Sequence, residues 1–439
     1  MNRPLKVALI AMGCEKNIVN SEQMLWLLDR AGMELVGDPA EADVTVVNTC
    51  AFIEEARREA LEQLREAAGS KLILAGCMAE WQRQRARPKT AGLPPIDGYV
   101  GTGRFDDIVN AVNAVAEGQN PFYFGGLDQP VSETPRIPMG TPHTATLKVA
   151  EGCDNRCSYC LIPSLRGAYR SRKPEAVLEE ARALCGQGVS ELVVIAQDVT
   201  RYGADLFGKP GLNALLEELC KVDGLRRLRL HYLYPDLITN ELIETVATQP
   251  KIAKYMDIPM QHASDAVLKA MNRRYTRSGL ERLIGTLREQ IPGIVLRTSL
   301  IVGFPGETQE HFNELTDFLR DAQIPRSGVF IYSREAGTPA AEMPVQVALK
   351  TKRQRQRTVE KLQSRVIDAF NRTREGSVAE VLCEGYDRYA GLYYGRSEAE
   401  SPEVDGCVFF TSERALNPGD WVPVLLDGAL DGDGKGRAV

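Results

Sequence analysis

The first 120 residues alternate between short apolar runs and longer segments in which apolar residues recur at helical spacing. The runs predict strands at 6–11, 43–48, 71–75 and 99–101. The helical spacing predicts helices at 21–30, 54–68 and 104–116. Because strands that alternate with helices are typical of a parallel, doubly wound sheet, we expect an N-terminal α/β domain over residues 1–120.

The same alternation returns over residues 143–345. Strands are predicted at 146–150, 191–196, 227–231, 255–259, 294–302 and 328–332. Helices are predicted between them at 174–184, 212–220, 241–248, 277–290 and 309–322. Six strand–helix units favour an open, partial (βα)6 barrel over the complete eightfold TIM barrel. Residues 121–142 contain five prolines and are expected to form a linker without regular structure.

The pattern changes again in the last hundred residues. In a connecting segment at 346–375, residues 350–370 predict a basic amphipathic helix, whose apolar face carries Val359, Leu362, Val366 and Phe370. Residues 376–439 are rich in β-branched, aromatic, glycine and proline residues, with strands predicted at 378–384 and 421–426. This composition favours a small C-terminal β-barrel.

Composition narrows the class of protein. Of the 439 residues, 44% are hydrophobic and 26% are charged, which is the balance of a folded globular chain and excludes a disordered or collagen-like one. No apolar run approaches the roughly 20 residues that a membrane span needs. Ten cysteines are too few for a disulfide scaffold of this size, so we expect a cytoplasmic protein with reduced thiols.

Charge is distributed unevenly along the chain. The net charge of −6 argues against strong attraction of the whole molecule to nucleic acid. Residues 376–439 hold 12 acidic and 5 basic residues, a net charge of −7, which leaves +1 for the rest of the chain. A barrel that binds RNA is expected to be basic, whereas an acidic barrel suits a basic protein as its partner.

The strongest chemical signal is a group of three cysteines, Cys153, Cys157 and Cys160, in the loop after a predicted strand. Thiolates are soft ligands that suit iron–sulfur clusters or zinc. Structural zinc sites and simple ferredoxin clusters take four protein ligands, whereas three leave one metal position open, as in catalytic sites. The alternative is a zinc site completed by a distant histidine or cysteine.

Three further cysteines, Cys14, Cys50 and Cys77, each follow a strand of the predicted N-terminal sheet. Because the carboxyl ends of parallel strands lie along one edge, these side chains can converge where open α/β sheets bind ligands. Three ligands again imply a cluster with one open iron. The alternative is that each is a small buried core residue.

The loop from Cys153 to Cys160 resembles that of the radical S-adenosylmethionine (SAM) enzymes, including the aromatic Tyr159 before the last cysteine. The resemblance implies a four-iron, four-sulfur (4Fe–4S) cluster whose free iron binds SAM and whose electron releases a 5′-deoxyadenosyl radical. The segment containing Ile301, Gly303 and Glu307 is similar to the family's later glycine-containing strand, which lies along the cofactor.

Both cysteine sets, followed by a small β-domain of the TRAM, OB-like type, make the whole chain resemble the methylthiotransferases. That resemblance implies two 4Fe–4S clusters and the transfer of a methylthio group to an unreactive C–H bond. One SAM would supply the methyl group and a second would supply the radical. Such radical chemistry belongs to the cofactor, and the protein contributes orientation and exclusion of water.

Two branches of this family act on different substrates. Segments 13–22, 162–167, 196–203, 232–235, 257–263 and 395–406 are similar to the branch that modifies the β-carbon of an aspartate in small-subunit ribosomal protein S12. Glu15 departs from this branch, which usually has proline there. The alternatives are a tRNA adenosine methylthiotransferase and a non-catalytic iron–sulfur electron-transfer protein.

The implied partners are the basic ribosomal protein, free or within the ribosomal subunit, and an external electron donor. We expect a monomer without membrane contact. Polar residues at predicted strand ends are weaker catalytic candidates, namely Gln197, Asp198, His231 and His262. The basic helix offers Lys350, Lys352, Arg353, Arg355 and Arg357 either to ribosomal RNA, to solvent or to the acidic tail.

Overall fold

The computed structural model describes residues 3–84 and 93–439. Its first sheet contains β1 (Lys6–Ala11), β2 (Glu34–Val36), β3 (Val44–Thr49), β4 (Lys71–Gly76), β5 (Gly98–Val100) and β6 (Phe122–Tyr123). These strands are parallel, in the order β2-β1-β3-β4-β5-β6. The helices of this part are α1 (Glu15–Arg30), α2 (Glu54–Glu66), α3 (Cys77–Arg83) and α4 (Ile108–Ala116). The predicted doubly wound sheet is confirmed.

Both faces of this sheet are covered because its strands are apolar on both sides. Val44 and Val46 of β3 pack with α1 and α4, whereas Val47 packs with α2 and α3. The prediction that 121–142 lacks regular structure is wrong at β6. Pro121 has no N–H to donate, but its carbonyl accepts a hydrogen bond from Tyr99 at 2.9 Å, as suits an edge strand.

A second sheet begins at residue 144. Its strands are β7 (Thr144–Lys148), β10 (Glu191–Ile195), β11 (Arg227–Leu230), β12 (Ile252–Asp257), β13 (Val295–Val302) and β14 (Arg326–Ile331), and a short antiparallel pair, β8 (Ala150–Glu151) and β9 (Arg170–Ser171), follows β7. The six long strands are parallel, in the order β14-β13-β12-β11-β10-β7. This is the predicted open (βα)6 sheet.

Ten helices accompany the second sheet in the described part of the chain. They are α5 (Ile162–Arg166), α6 (Pro174–Gly186), α7 (Ala204–Phe207), α8 (Leu212–Cys220), α9 (Asn240–Thr248), α10 (Asp265–Ala270), α11 (Arg277–Gln290), α12 (Gln309–Ala322), α13 (Pro339–Glu342) and α14 (Leu349–Arg374). The apolar faces of α6, α8, α9, α11 and α12 and the apolar side chains of the strands form the largest core. Within the described residues, no helix is both long and apolar enough to span a membrane.

The C-terminal part is a closed β-barrel, as predicted, and it contains five strands. They are β15 (Val378–Asp387), β16 (Leu392–Arg396), β17 (Val408–Thr411), β18 (Trp421–Leu430) and β19 (Asp433–Ala438), closed in the order β15-β16-β17-β19-β18. Alternate residues such as Val381, Val422 and Phe410 form its own small core.

The loop 397–405 of this barrel lies against the concave face of the open sheet. Arg229 of β11 donates a hydrogen bond to the Glu398 carbonyl at 2.7 Å, and Tyr255 of β12 donates to Asp405 at 2.6 Å. Glu400 is buried there and pairs with Arg326 at 2.8 Å. The C-terminal barrel is therefore docked on the open sheet through polar contacts with residues of β11, β12 and β14.

Candidate functional site

The first cysteine set lies at one edge of the N-terminal sheet. Cys14, Cys50 and Cys77 follow β1, β3 and β4, which are neighbours in the sheet. Gly13 has a φ of +89°, and a Cβ placed on it would come within 2.6 Å of the Cys50 Cβ. Only glycine allows this approach, so the loops of Cys14 and Cys50 are held against each other.

The protonation of these thiols reflects burial and mutual proximity. Burial raises the pKa of Cys50, and the neighbouring Cys14 raises it further. Burial raises the pKa of Cys77 to about 12, although Arg166 lowers it and the other two thiols raise it again. Metal binding requires thiolates, so a metal cluster would have to displace these protons.

The second set lies in the loop between β8 and α5. The Cys153 sulfur accepts a hydrogen bond from the Asn155 N–H at 3.5 Å, and the Cys160 sulfur accepts one from the Ile162 N–H at 3.4 Å. Burial raises the pKa values of Cys153 and Cys160, and the nearby Cys157 raises both as well. Backbone donors aimed at sulfur suit a thiolate ligand, because they stabilise its negative charge.

Arg166 joins the two cysteine regions. Its buried guanidinium donates to Glu151 at 2.9 Å beside the second set and to Asn17 at 2.9 Å beside the first. Arg166 is also close enough to the Cys77 thiol to lower its pKa, although burial outweighs this effect. This arginine therefore fixes the N-terminal sheet edge relative to the opening of the barrel.

Two of the weaker catalytic candidates, Gln197 and Asp198, hold neighbouring side chains. Gln197 donates to Glu151 at 2.9 Å, and Asp198 accepts from Asn155 at 2.8 Å in the cysteine loop. Burial opposes ionisation of Glu151, but Arg166 and Lys148 outweigh it and lower its pKa. In this arrangement both side chains hold residues beside the second cysteine set.

The two candidate histidines are both buried, and burial lowers the pKa of each. That of His231 falls well below its ordinary value, and that of His262 falls to about 3. His231 Nε2 hydrogen-bonds Ser401 of the C-terminal loop at 2.5 Å. His262 accepts from the Ser264 N–H at 2.9 Å and lies 4.0 Å from Glu307. Both are neutral residues packed inside the structure.

The segment predicted to contact the cofactor follows β13. Gly303 has a φ of +73°, and a Cβ there would come within 2.3 Å of the Lys352 side chain. Glu307 accepts from the Phe304 N–H at 3.0 Å and pairs with Arg355 at 2.9 Å, so its carboxylate stabilises the turn itself. The Ile301 N–H is bonded to the Gln261 carbonyl at 2.7 Å.

Tyr159 lies beside the turn that follows β13. Its hydroxyl accepts a hydrogen bond from Arg273 at 3.0 Å, and its ring meets Phe304 edge-on at 6.5 Å between centroids. The half-buried Arg273 also lies 4.6 Å from the centre of the Tyr234 ring. Sequence reasoning missed Arg273, because its aromatic partners are distant in the chain.

Sequence reasoning also missed Lys16, two residues after Cys14. Its ammonium lies 2.9 Å from the centre of the Tyr232 ring, at the junction of the N-terminal sheet and the barrel. Burial lowers the pKa of Lys16, while Cys14 and Glu15 raise it. A lysine in a polar first turn gives no sign in the sequence that it will be buried.

The spacing of the cysteine side chains determines which metal groups they could hold. Among residues 3–84 and 93–439, no group of three or more His, Cys, Asp or Glu side chains converges closely enough for a single metal ion. A structural zinc site needs four ligands around one ion. In a 4Fe–4S cluster each thiolate binds a different iron, so three thiols need not meet at one point.

The chain matches three known families in consecutive segments. Residues 6–94 match the uncharacterized protein family UPF0004, residues 147–319 match the radical SAM superfamily, and residues 376–439 match the TRAM domain. The first two segments contain the first and second cysteine sets, respectively.

Among solved structures, the chain is similar to the radical SAM methyltransferase TsrM from Kitasatospora setae, described with cobalamin and a 4Fe–4S cluster bound. The TM-score is 0.54, the identity is 16%, and the alignment covers 77% of each chain. At this identity the likeness concerns the fold alone.

Curated relatives are similar over the full length. The chain is 48% identical to the ribosomal protein uS12 methylthiotransferase RimO of Pelotomaculum thermopropionicum, over 99% of both proteins. It is 44% identical to the protein of that name from Geobacter sulfurreducens, over 100% of this chain and 99% of the relative. With this identity over the whole chain, the protein belongs to the RimO family of methylthiotransferases.

Proposed function

We propose that this protein replaces a hydrogen on the β-carbon of an aspartate in ribosomal protein uS12 with a methylthio group. The observation that carries the proposal is the 48% identity, over 99% of the chain, to a ribosomal protein uS12 methylthiotransferase RimO, combined with two separate three-cysteine sets. The radical SAM fold supports iron–sulfur and SAM chemistry in general.

Each cysteine set would hold one 4Fe–4S cluster. Cys14, Cys50 and Cys77 would bind the first, and the close packing of Gly13 on Cys50 supports their convergence. Cys153, Cys157 and Cys160 would bind the second, in a loop where backbone N–H groups already point at two of the sulfurs. Three protein ligands per cluster leave an iron open to a non-protein ligand.

The residues around the second set are suited to bind SAM. Tyr159 and the backbone of Ile301 and Gly303 would form the walls, while Glu307 would keep the turn in shape. When bound, the clusters and SAM supply the radical that a non-acidic C–H bond requires. The contribution of this chain is to orient the substrate and to exclude water from the opening.

A basic protein substrate is favoured by the acidity around the first cysteine set. Burial raises the pKa of Glu15, Lys16 lowers it, and Glu403, in the exposed turn of loop 397–405, is close enough to raise it again. Glu15 is thus an acidic residue directly after Cys14, and the C-terminal barrel adds its net charge of −7. Opposite charge would steer the ribosomal protein to this opening. We expect a monomeric, cytoplasmic enzyme with an external electron donor.

The test is to incubate the reduced, cluster-loaded protein and SAM in two separate reactions, one with purified uS12 and one with bulk tRNA. We expect 5′-deoxyadenosine, and a methylthio mass shift on an aspartate of uS12 only. Cys153→Ala should lose both products, whereas Cys50→Ala should still form 5′-deoxyadenosine without methylthiolation. Cys220→Ala, remote from both sets, is the matched control. A shift on tRNA adenosine alone would contradict the proposal, as would unmodified uS12 with the parent enzyme.

A further inference from the structure

One face of α14 carries a continuous row of exposed cations. Successive cations of this row are three, four, four and four residues apart in the sequence, and this spacing places them on the same side of the helix. They are Lys350, Arg353, Arg357, Lys361 and Arg365, defined here as the basic stripe. At a rise of about 1.5 Å per residue, the stripe is roughly 22 Å long.

The charges of the basic stripe are not neutralised by the protein. Within the described residues, none of its five side chains takes part in an ion pair or in a hydrogen bond. For Lys352 and Arg355, exposure to RNA or to solvent is excluded, because both are buried on the opposite side of α14. The contact of α14 with the acidic barrel uses Arg374, which pairs with Glu400 at 2.6 Å.

The side of α14 opposite the basic stripe is fixed against the open (βα)6 barrel. Lys352 donates to the Tyr332 carbonyl at 2.7 Å, and Arg355 pairs with Glu307 at 2.9 Å. Gln356 donates to the Val329 carbonyl at 3.0 Å. The stripe is therefore a fixed surface, separated from the turn that contains Glu307 by about the 10 Å diameter of a helix.

Its dimensions suit a nucleic-acid strand. A strand carries one phosphate per roughly 3.4 Å of helix axis, so the stripe can face about six phosphates. The intervening side chains, Gln354 and Thr358, are polar and can also donate to phosphate oxygens. A helix that binds an anionic membrane would instead need a row of apolar side chains beside the cations. Among the described residues of α14, the exposed large apolar side chain is Leu349, at one end of the helix, so no such row is present.

The geometry points to the basic stripe as a binding surface for an RNA backbone. Identifying that RNA as the ribosomal RNA beside the target protein rests on the proposed function, because a ribosomal protein in its subunit is surrounded by RNA. The acidic barrel would then bind the protein substrate, while the stripe binds the adjacent phosphates. The same chain would use opposite charges on two surfaces to recognise one ribonucleoprotein.

The test measures binding of the full-length, cluster-loaded protein to purified small ribosomal subunits over a series of salt concentrations. The variant R353Q/R357Q/K361Q removes three charges from the stripe. The matched control, R182Q/K221Q/R282Q, removes the same three charges from exposed positions on or at the end of other barrel helices. Each lost phosphate contact should reduce the slope of log affinity against log salt by about 0.7–0.9, so we expect a reduction of about 2–3 and at least tenfold weaker binding.

The control should match the parent, and the stripe variant should methylthiolate free uS12 at the parental rate. An unchanged salt slope in the stripe variant would overturn the RNA proposal. The RNA proposal would also be overturned, in favour of an acidic protein partner, if the parent still binds after ribonuclease digestion of the subunits and the stripe variant does not. If the parent does not modify uS12 at all, the proposed function is wrong, while the salt slopes still decide whether the stripe binds RNA.

Discussion

Glu400 offers the sharpest test of how the C-terminal barrel is fixed to the rest of the protein. Its buried carboxylate pairs with Arg326 at 2.8 Å and Arg374 at 2.6 Å, and it accepts the Ser397 N–H at 3.1 Å. Burial opposes its ionisation, but the two arginines outweigh burial and lower the pKa of Glu400 to about 2. The charged form is therefore strongly stabilised by docking.

The magnitude follows from that pKa. A fall from an ordinary 4.5 to about 2, at 1.36 kcal/mol per pKa unit, corresponds to about 3 kcal/mol of stability at pH 7. Because the pKa is depressed, this stability is present above about pH 4.5 and is lost as the pH falls toward 2, with roughly half or less of it left at pH 3. Glu400→Gln keeps the shape, removes the charge and should cost about 3 kcal/mol, within the range for broken buried ion pairs.

The assay is urea unfolding followed by the fluorescence of Trp421. Its indole donates to Ser190 at 3.0 Å and lies on Arg227 of β11, so its emission reports whether the C-terminal barrel is docked. Parent and variant would share a background in which Trp26 and Trp81 are phenylalanine. The free energy of the undocking transition is compared at pH 7 and pH 3.

Glu398→Gln is the control, because Glu398 is an exposed residue of the same loop. It should change the transition by less than about 0.5 kcal/mol. The reasoning is refuted if Glu400→Gln costs less than about 1 kcal/mol at pH 7. It is also refuted if the difference between parent and variant does not shrink between pH 7 and pH 3.

Two further substitutions test the region between the cysteine sets. Gly13→Ala places a Cβ against Cys50 at a left-handed backbone position, so it should lose about half of the bound iron while 5′-deoxyadenosine formation continues. Arg166→Gln leaves Glu151 buried with one cation fewer and should lower the free energy of unfolding by about 3 kcal/mol in urea titrations. Retention of full iron by the first variant, or parental stability of the second, would contradict these assignments.

The sheets were predictable because buried parallel strands are continuous apolar runs. The strands leading to Cys14, Cys50 and Cys77 were therefore located from sequence. The start of α1 was not predicted, because its first turns contain polar residues such as Lys16 and Asn17 that are buried against the open (βα)6 barrel. Helical spacing identifies an apolar face, and here the buried face is polar.

The roles of charged residues were harder to predict for the same reason. Lys352 and Arg355 resemble their exposed neighbours in the sequence, and only their distant partners, Tyr332 and Glu307, separate them. His231 was placed correctly near a strand end, but the C-terminal loop that covers it comes from far along the chain. Local patterns locate strand ends, whereas tertiary contacts decide which polar groups are free to act.

The central claim is that six cysteines hold two clusters, three to each. The most direct measurement is the iron and sulfide content after anaerobic reconstitution of the parent, Cys50→Ala and Cys153→Ala. We predict about eight irons in the parent and about four in each variant, as two cysteine-bound four-iron clusters require. A parent that binds about four irons, or a Cys50→Ala variant that keeps the full parental content, would contradict the account.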